Sequence, residues 1–428
     1  MREGVYMNLK KIIYKFGKPL IAARRRAKRR ANEKRQLKEY SKGCVRTYDK
    51  KSMPKDYTHF KVAGESVTGN NILITPHTSN FGTGYITELD CTGKIVRYKH
   101  IPKFAFTPRK FRFSDGTVYY VFAQSEYRAD HDYDMAKLVV LDGNFETVND
   151  DVRLLPYGSI KEDDDGLIDP HDYVVLGKNH FILMAMRYSV ADNIPGFEGR
   201  KIQVKNIIIQ EQKDGEVVFQ FETNDHPELF AVCGRYMVGH NLPPMNFENY
   251  IEGAEWYADP IHLNSMWLDR ERDELLLSMR QIGLVKISHR DGSIKWVMGR
   301  RRCDISGVTA EMLPLLQHDA RGHRDGTITV FDNMSRDRHT RICEYKIDED
   351  NLKLEYFNEY ISNYPRSFFM GNALRVGDGV YQLAYGGGMK IGFEECDFKS
   401  GKQNMKLVFD SGDDMYQVFS GEIEVEDE

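Results

Sequence analysis

The chain has 428 residues, 41% of them hydrophobic and 29% charged, with a formal net charge of −4, a composition ordinary for a soluble globular protein. No apolar run approaches the ~18 residues of a membrane-spanning helix, so the chain does not read as an integral membrane protein. Its six cysteines (Cys44, Cys91, Cys233, Cys303, Cys343, Cys396) lie at least 40 residues apart without a CxxC pair, which argues against a zinc knuckle or a local disulfide framework and makes a reducing, cytoplasmic compartment the simpler assumption.

Charge divides the chain in two. Residues 1–42 carry 15 Lys/Arg against 3 Asp/Glu, about +12, which leaves 45 against 61, about −16, for the remainder. The stretch Ala23 to Arg30 is too basic for a signal-peptide cleavage region, and the segment Ile12 to Ile21 before it is broken by lysines and a proline. No export signal is read. The tail is expected to be a helical or disordered solvated arm first and a peripheral contact with an anionic membrane second; nucleic acid is not expected as a partner.

From about residue 60 the chain consists of short runs rich in Val, Ile, Phe and Tyr between Asp, Asn and Gly turns. One element, a polar or glycine turn followed by an apolar strand, recurs at Asn70–Ile74, Asp115–Val121, Lys178–Leu183, Arg272–Leu277, Asp325–Val330 and Asp378–Leu383. Each copy is followed by a strand–turn–strand, as in Tyr85–Val96 and Leu284–Trp296. With one further strand ahead of each pair the count is six four-stranded units, and radial packing buries both faces of such sheets. The expected fold is therefore all-β, a six-bladed β-propeller over residues 43–428 behind the basic tail 1–42. The third unit is the longest, and residues 224–257 within it, rich in proline, asparagine and aromatics without strand alternation, read as an inserted loop, either a lid over a site or a packed surface excursion.

The innermost strand of each blade precedes the recurring turn and lines the central channel. In three consecutive units that place carries a histidine in a polar cluster: Asp169-Pro170-His171-Asp172, Ile261-His262-Leu263-Asn264-Ser265 and Gln317-His318-Asp319-Ala320-Arg321. The sixth unit has Met370-Gly371-Asn372-Ala373 there. A lone histidine in a strand is more often a core residue, but three at one repeat position converge on one axis. Arg280 and Arg187 each follow an apolar strand, and guanidinium beside imidazoles suits an oxyanion such as sulfate. An ion pair with a neighbouring carboxylate is the plainer role for both arginines, and the favoured one for Arg187. Asp172 and Asp319 alternate to the opposite strand face from the adjacent rings and are left as turn or ladder caps.

In their order, these motifs resemble those of the bacterial arylsulfotransferases: Asp-Pro-His-Asp, His262-x-Asn264-Ser265, Arg280, Gln317 to Arg321, then Asp332-Asn333 and Met370 to Ala373. The likeness spans roughly residues 165–375. It implies a six-bladed propeller and a channel site that transfers a sulfuryl group from an aryl sulfate donor to a phenolic acceptor without a nucleotide donor, by a ping-pong route through sulfohistidine. It further implies His318 as nucleophile, His262, Asn264 and Arg280 on the sulfuryl oxygens, and His171 as donor or proton carrier. Asn333, Asn372 and Arg187 complete the expected substrate contacts, and no cofactor is expected. The chain departs from exported members in lacking a recognisable signal peptide and an obvious disulfide pair. Two other readings stand beside this one: a metal-dependent hydrolase or lyase on the three histidines, to be separated by metal analysis, and a non-catalytic propeller that binds a partner through its face, which would tolerate loss of the histidines.

Overall fold

The protein is described from a computed structural model, which covers residues 31, 34–78, 83–126, 135–191, 199, 201–233, 237–240, 256–333, 339–367, 370–386, 391–410 and 417–426. Six antiparallel-based sheets of four to six strands stand around one axis, a six-bladed β-propeller. All six recurring turn–strand elements fall on the second strand of a blade: Ile72–Ile74, Val118–Ser125, His180–Ala191, Glu274–Met279, Thr327–Asp332 and Val380–Ala384. The innermost strands of blades 2 to 6 are Ala105–Phe113, Tyr173–Gly177, Leu263–Asp269, His318–Gly322 and Asn372–Gly377.

Strand periodicity explains the packing. In blade 4, Leu275 and Leu277 face blade 3 while Leu276 between them faces blade 5, with Leu284 and Trp296 beside it. The same alternation repeats around the ring, so among the described residues there are six buried apolar clusters, one at each blade interface. Removing one such leucine, fully buried on an interior strand, costs about 2–5 kcal/mol.

The ring is closed by both chain ends. Phe60–Gly64 forms the outer edge of blade 6 by pairing with Lys402–Phe409, and Val418–Ser420 supplies the innermost strand of blade 1 by pairing with Ile72–Ile74. Ile423–Val425 then adds to blade 2 in parallel with Phe111–Phe113. Asn372 fastens this closure, because its amide donates to Val418 O at 2.9 Å and accepts from Val418 N at 3.0 Å. This differs from the expected substrate-binding role of Asn372: both ends of its amide are committed to backbone. Asn372→Ala is expected to lower the thermal midpoint by several degrees and to leave KM for an aryl sulfate within about twofold, since a buried backbone donor and acceptor lose their partner.

Residues 34–40 of the tail are helical, as one of the two expected forms has it, but they are not a solvated arm: Leu37 and Tyr40 pack on the cluster between blades 5 and 6, with Tyr40 set edge-on to Tyr364 at 5.1 Å. The basic run before it lies outside the described residues. The 224–257 insertion is not devoid of regular structure either. It holds a short helix, Pro227–Val232, with Leu229 and Phe230 buried, and two strands, Met237–His240 and Trp256–Ala258. Trp256–Ala258 runs parallel to Ile202–Val204 and extends the blade 3 sheet. Most of the expected lid lies outside the described residues.

Blades 3 and 4 share a polar contact of a different kind. Glu211 accepts His180 Nε2 at 2.6 Å and pairs with His289 Nε2 at 2.8 Å, while Asp273 meets His289 Nδ1 at 2.8 Å. Burial alone would lower the His289 pKa, but the two carboxylates raise it above 6.5. Glu211 is held below its ordinary 4.5 against burial by the two histidines. The histidine contribution is complete below about pH 6.5 and is lost as pH rises through the raised value; the Glu211 contribution is complete above about pH 4.5 and is lost as pH falls through the lowered one. The clamp is therefore strongest between these limits. A melting series from pH 6 to pH 9 is expected to show a smaller decline for His289→Gln than for the unmodified protein.

Candidate active site

Below the histidines the channel is crossed by an ionic floor. Asp172, from the head of the blade 3 strand, pairs with Arg109 of blade 2 at 2.5 Å and Arg321 of blade 5 at 2.7 Å, and accepts Met266 N of blade 4 at 2.8 Å. Asp319 accepts Arg321 Nε and, with its second oxygen, Ala373 N of blade 6. Burial opposes the Asp172 charge, yet the two guanidiniums hold its pKa below the usual carboxylate value; Asp319 is pushed upward by burial. Five blades are thus tied to one another just beneath the rings. The two aspartates do cap backbone, Asp172 accepting Tyr173 N and Met266 N and Asp319 accepting Ala373 N, and with the two arginines these caps make an inter-blade lattice.

Backbone irregularities aim the site. The innermost strands of blades 2, 4 and 5 shift register at Phe106/Arg109, Leu263/Ser265 and His318/Arg321. Thr107, His262, Asp319 and Met370 all take positive φ, between 49° and 63°. Such values are uncommon outside glycine and mark bulged or turned backbone that redirects a side chain.

The three histidines come together at the heads of blades 3, 4 and 5. The His171 ring centroid lies 5.6 Å from that of His262 and 6.1 Å from that of His318. His171 Nδ1 meets Asp169 at 2.5 Å, and His262 Nδ1 meets Asp259 at 2.6 Å. Asp259 is held down at about 2, against its burial, by His262, Lys205 and Arg280. A carboxylate on Nδ1 fixes that nitrogen as the protonated one and leaves Nε2 as the remaining reactive nitrogen of each ring.

His318 is set differently. It is 2% exposed, and its Nδ1 lies 2.6 Å from Asn333 Oδ1. The Asn333 amide nitrogen donates to Met370 O at 2.7 Å, which identifies the other end of that amide as an acceptor. His318 Nδ1 must then carry the proton, and the lone pair falls on Nε2, where Met370 N–H reaches it at 3.3 Å. Burial, followed by the neighbouring His171, lowers the His318 pKa well below 6.5, so this ring is a neutral imidazole at physiological pH.

Arg280 follows Glu274–Met279, its backbone N donating to His262 O at 3.0 Å. Its Nε is buried without a partner, and among the described residues no ion pair occupies its guanidinium. Asn264 donates to Gln317 O at 2.7 Å, while its Oδ1, also buried, has no partner. Orphaned buried polar atoms beside three imidazoles mark a site built for a polar ligand. Arg187 is not part of it. It sits within the long strand His180–Ala191 rather than at a strand end, and it grips Asp164 through two bonds of 2.6 and 2.8 Å and Leu167 O through a third. The ion-pair role weighed for it is the one the structure gives. Among the described residues no group of three or more His, Cys, Asp or Glu side chains is spaced to hold a metal ion.

A family model for arylsulfotransferases (ASST) matches residues 42–413. The chain belongs to the arylsulfotransferase family. Among curated proteins it is similar to the arylsulfate sulfotransferase AssT of Escherichia coli O6:H1 (strain CFT073), with 27% identity over 25% of this chain; the match spans 23% of the length of that relative. Among solved structures it is similar to a protein of unknown function from Bacteroides caccae (TM-score 0.42, 11% identity, 82% of this chain and 98% of that one). It is also similar to the dihydro-heme d1 dehydrogenase NirN (TM-score 0.36, 12% identity, 88% and 79%). At those TM-scores neither structure bears on the chemistry.

Four residues at this arylsulfotransferase-family site had no role assigned from sequence: Asp169, Met370 through its backbone and Arg321 in the floor, all inside the quoted motifs, and Asp259 outside them. For the two carboxylates a signal existed. Both histidines follow an Asp-Pro step, Asp169-Pro170-His171 and Asp259-Pro260-Ile261-His262, in which the proline keeps the aspartate out of helical backbone so that its side chain can turn toward the residues that follow.

Proposed function

We propose that the protein transfers a sulfuryl group from a phenolic sulfate ester to a phenolic acceptor in two displacements through a sulfohistidine at His318, with no nucleotide sulfate donor. The observation that carries the reading is the His318 tautomer: a buried, neutral ring whose Nε2 lone pair is fixed by the Asn333–Met370 bridge and lies beside two further imidazoles and a guanidinium with no ion pair.

In the first displacement the Nε2 lone pair attacks sulfur, the N–S bond forms and the S–O bond to the aromatic ring breaks, the electron pair leaving on the phenolate oxygen. His171 or His262, entering the step as the imidazolium with both nitrogens protonated, gives its Nε2 proton to that oxygen and is left as the neutral ring, while Asp169 or Asp259 keeps the Nδ1 proton and orients the ring. Once Nε2 is bonded to sulfur, Met370 N–H loses its acceptor and turns to a sulfuryl oxygen. Arg280 Nε and the Arg280 fork meet the other oxygens, donors set in place before reaction. In the second displacement the acceptor gives its proton back to the same imidazole, its oxygen attacks sulfur, and the pair returns to Nε2. The six cysteines, all free, suit a reducing, cytoplasmic setting.

The test is release of 4-nitrophenol from 4-nitrophenyl sulfate. Release that rises with added phenol and survives a chelator supports the reading. Release that ignores phenol, or stops with the chelator, replaces it by a hydrolase and, in the second case, a metal-dependent one.

A further inference from the structure

Between blades 4 and 5 lies a cavity of about 200 Å³ that shares Arg280 with the histidine site. Ile282, Met298, Leu313 and Leu315 make it apolar, and the paired Gly283 and Gly299 also lie on its lining. A Cβ on Gly283 would stand 2.2 Å from Met298 O, and one on Gly299 2.1 Å from Ile282 O, so the paired backbones admit no side chain there. Leu316, at φ 57°, turns the chain so that Gln317, the residue before His318, reaches back to Met279 O and, on the lining, Gly283 O. An apolar cavity of about 150 Å³ is enough for a benzene ring.

Polar atoms sit on the lining and at the rim. Arg280 Nε and Gln281 Oε1 are buried without partners on the lining. At the exposed rim stand Arg300 and Arg301, and among the described residues neither has an acidic partner, whereas the next residue, Arg302, is paired with Asp304 at 2.9 Å. The cavity is therefore a ring-sized apolar slot with the buried Arg280 Nε on its lining and, at its exposed rim, two guanidiniums that have no acidic partner among the described residues.

Resting on the transferase reading, we propose that this slot takes the aromatic ring of the acceptor and that the preferred acceptors are single-ring phenols with a second, anionic substituent, a carboxylate or sulfonate, directed to Arg300 and Arg301. Gln281 Oε1 then accepts the phenolic O–H as the ring docks, and that proton passes to the imidazole when the oxygen attacks sulfur. The anion meets a charge-assisted fork at the solvent edge, where its selectivity falls as salt rises.

With 4-nitrophenyl sulfate as donor, kcat/KM is compared for 4-hydroxybenzoate and 4-methylphenol, in the full-length protein, the double variant R300Q/R301Q and the control R302Q. Because the two acceptors differ in intrinsic reactivity, the readout is their ratio. The ratio is expected to fall about tenfold in R300Q/R301Q, to hold in R302Q, and to shrink in the unmodified protein between low and high salt. An unchanged ratio in the double variant, or an equal fall in R302Q, overturns the proposal. Calorimetric binding of 4-hydroxybenzoate separates this from failure of the transferase reading. Charge-dependent binding lost in R300Q/R301Q, with no turnover by any form, keeps the slot and removes the reaction; turnover with no acceptor preference does the reverse.

Discussion

His318→Ala is expected to reduce acceptor-dependent release of 4-nitrophenol by about 10³-fold or more, the largest effect of any single change in this protein. On the proposed sulfohistidine route His318 is the one group that the remaining site cannot replace, and what persists after its loss is binding and charge stabilisation alone. The substitution also strands Asn333 Oδ1 in the interior, so a stability loss of about 1–3 kcal/mol accompanies it. His318→Asn serves as the companion variant, since its amide can still meet Asn333 and yet cannot attack sulfur; it should melt near the unmodified protein and remain inactive. The same reasoning sets the pH behaviour. The His318 pKa lies well below 6.5, so the nucleophile stays neutral, and kcat/KM should not fall on the acid side until pH is well under that value. A rate that titrates away near pH 6.5 would indicate an ordinary exposed histidine as the reacting group.

Arg280→Gln is expected to lower kcat by about 10²–10³-fold with a smaller change in KM, the loss typical of one fixed donor on a charge that grows in the transition state. Arg280→Lys should recover little of it. Lysine restores the charge but not the fork, and the orphaned Nε of Arg280 has no counterpart in an ammonium group. If Arg280→Lys were fully active, Arg280 would be acting only as a local positive charge. Arg187→Gln is the contrasting variant: with its guanidinium spent on Asp164 and Leu167 O, it should affect stability and leave kcat nearly intact.

These contrasts bear on what was legible in the sequence. The blades were readable because each second strand opens on a fixed polar turn and alternates apolar side chains, and that alternation has one physical outcome, a sheet packed on both faces. The convergence of His171, His262 and His318 was readable for the same reason, since a repeat position in a radially closed fold is a place near the axis. The ring closure was not, because Phe60–Gly64 and Val418–Ser420 find their partners hundreds of residues away and carry no local mark of it. Asn372 and Arg187 were misplaced as substrate contacts. A residue type at a matching position says nothing about whether a backbone strand or a carboxylate from elsewhere, Val418 or Asp164, has already taken its hydrogen bonds. The Asp169 and Asp259 partners were within reach of the Asp-Pro spacing. The Asn333–Met370 bridge was not, as it depends on a backbone carbonyl in another blade.

The most direct test is to mix the protein with excess 4-nitrophenyl sulfate in the absence of any phenol, stop the reaction, and map the mass of the peptide that contains His318. One sulfuryl group on His318, formed with a single burst of 4-nitrophenol and discharged on adding phenol, is the predicted result. Acceptor-dependent product with His318 unmodified throughout would contradict the account and point to direct transfer between donor and acceptor.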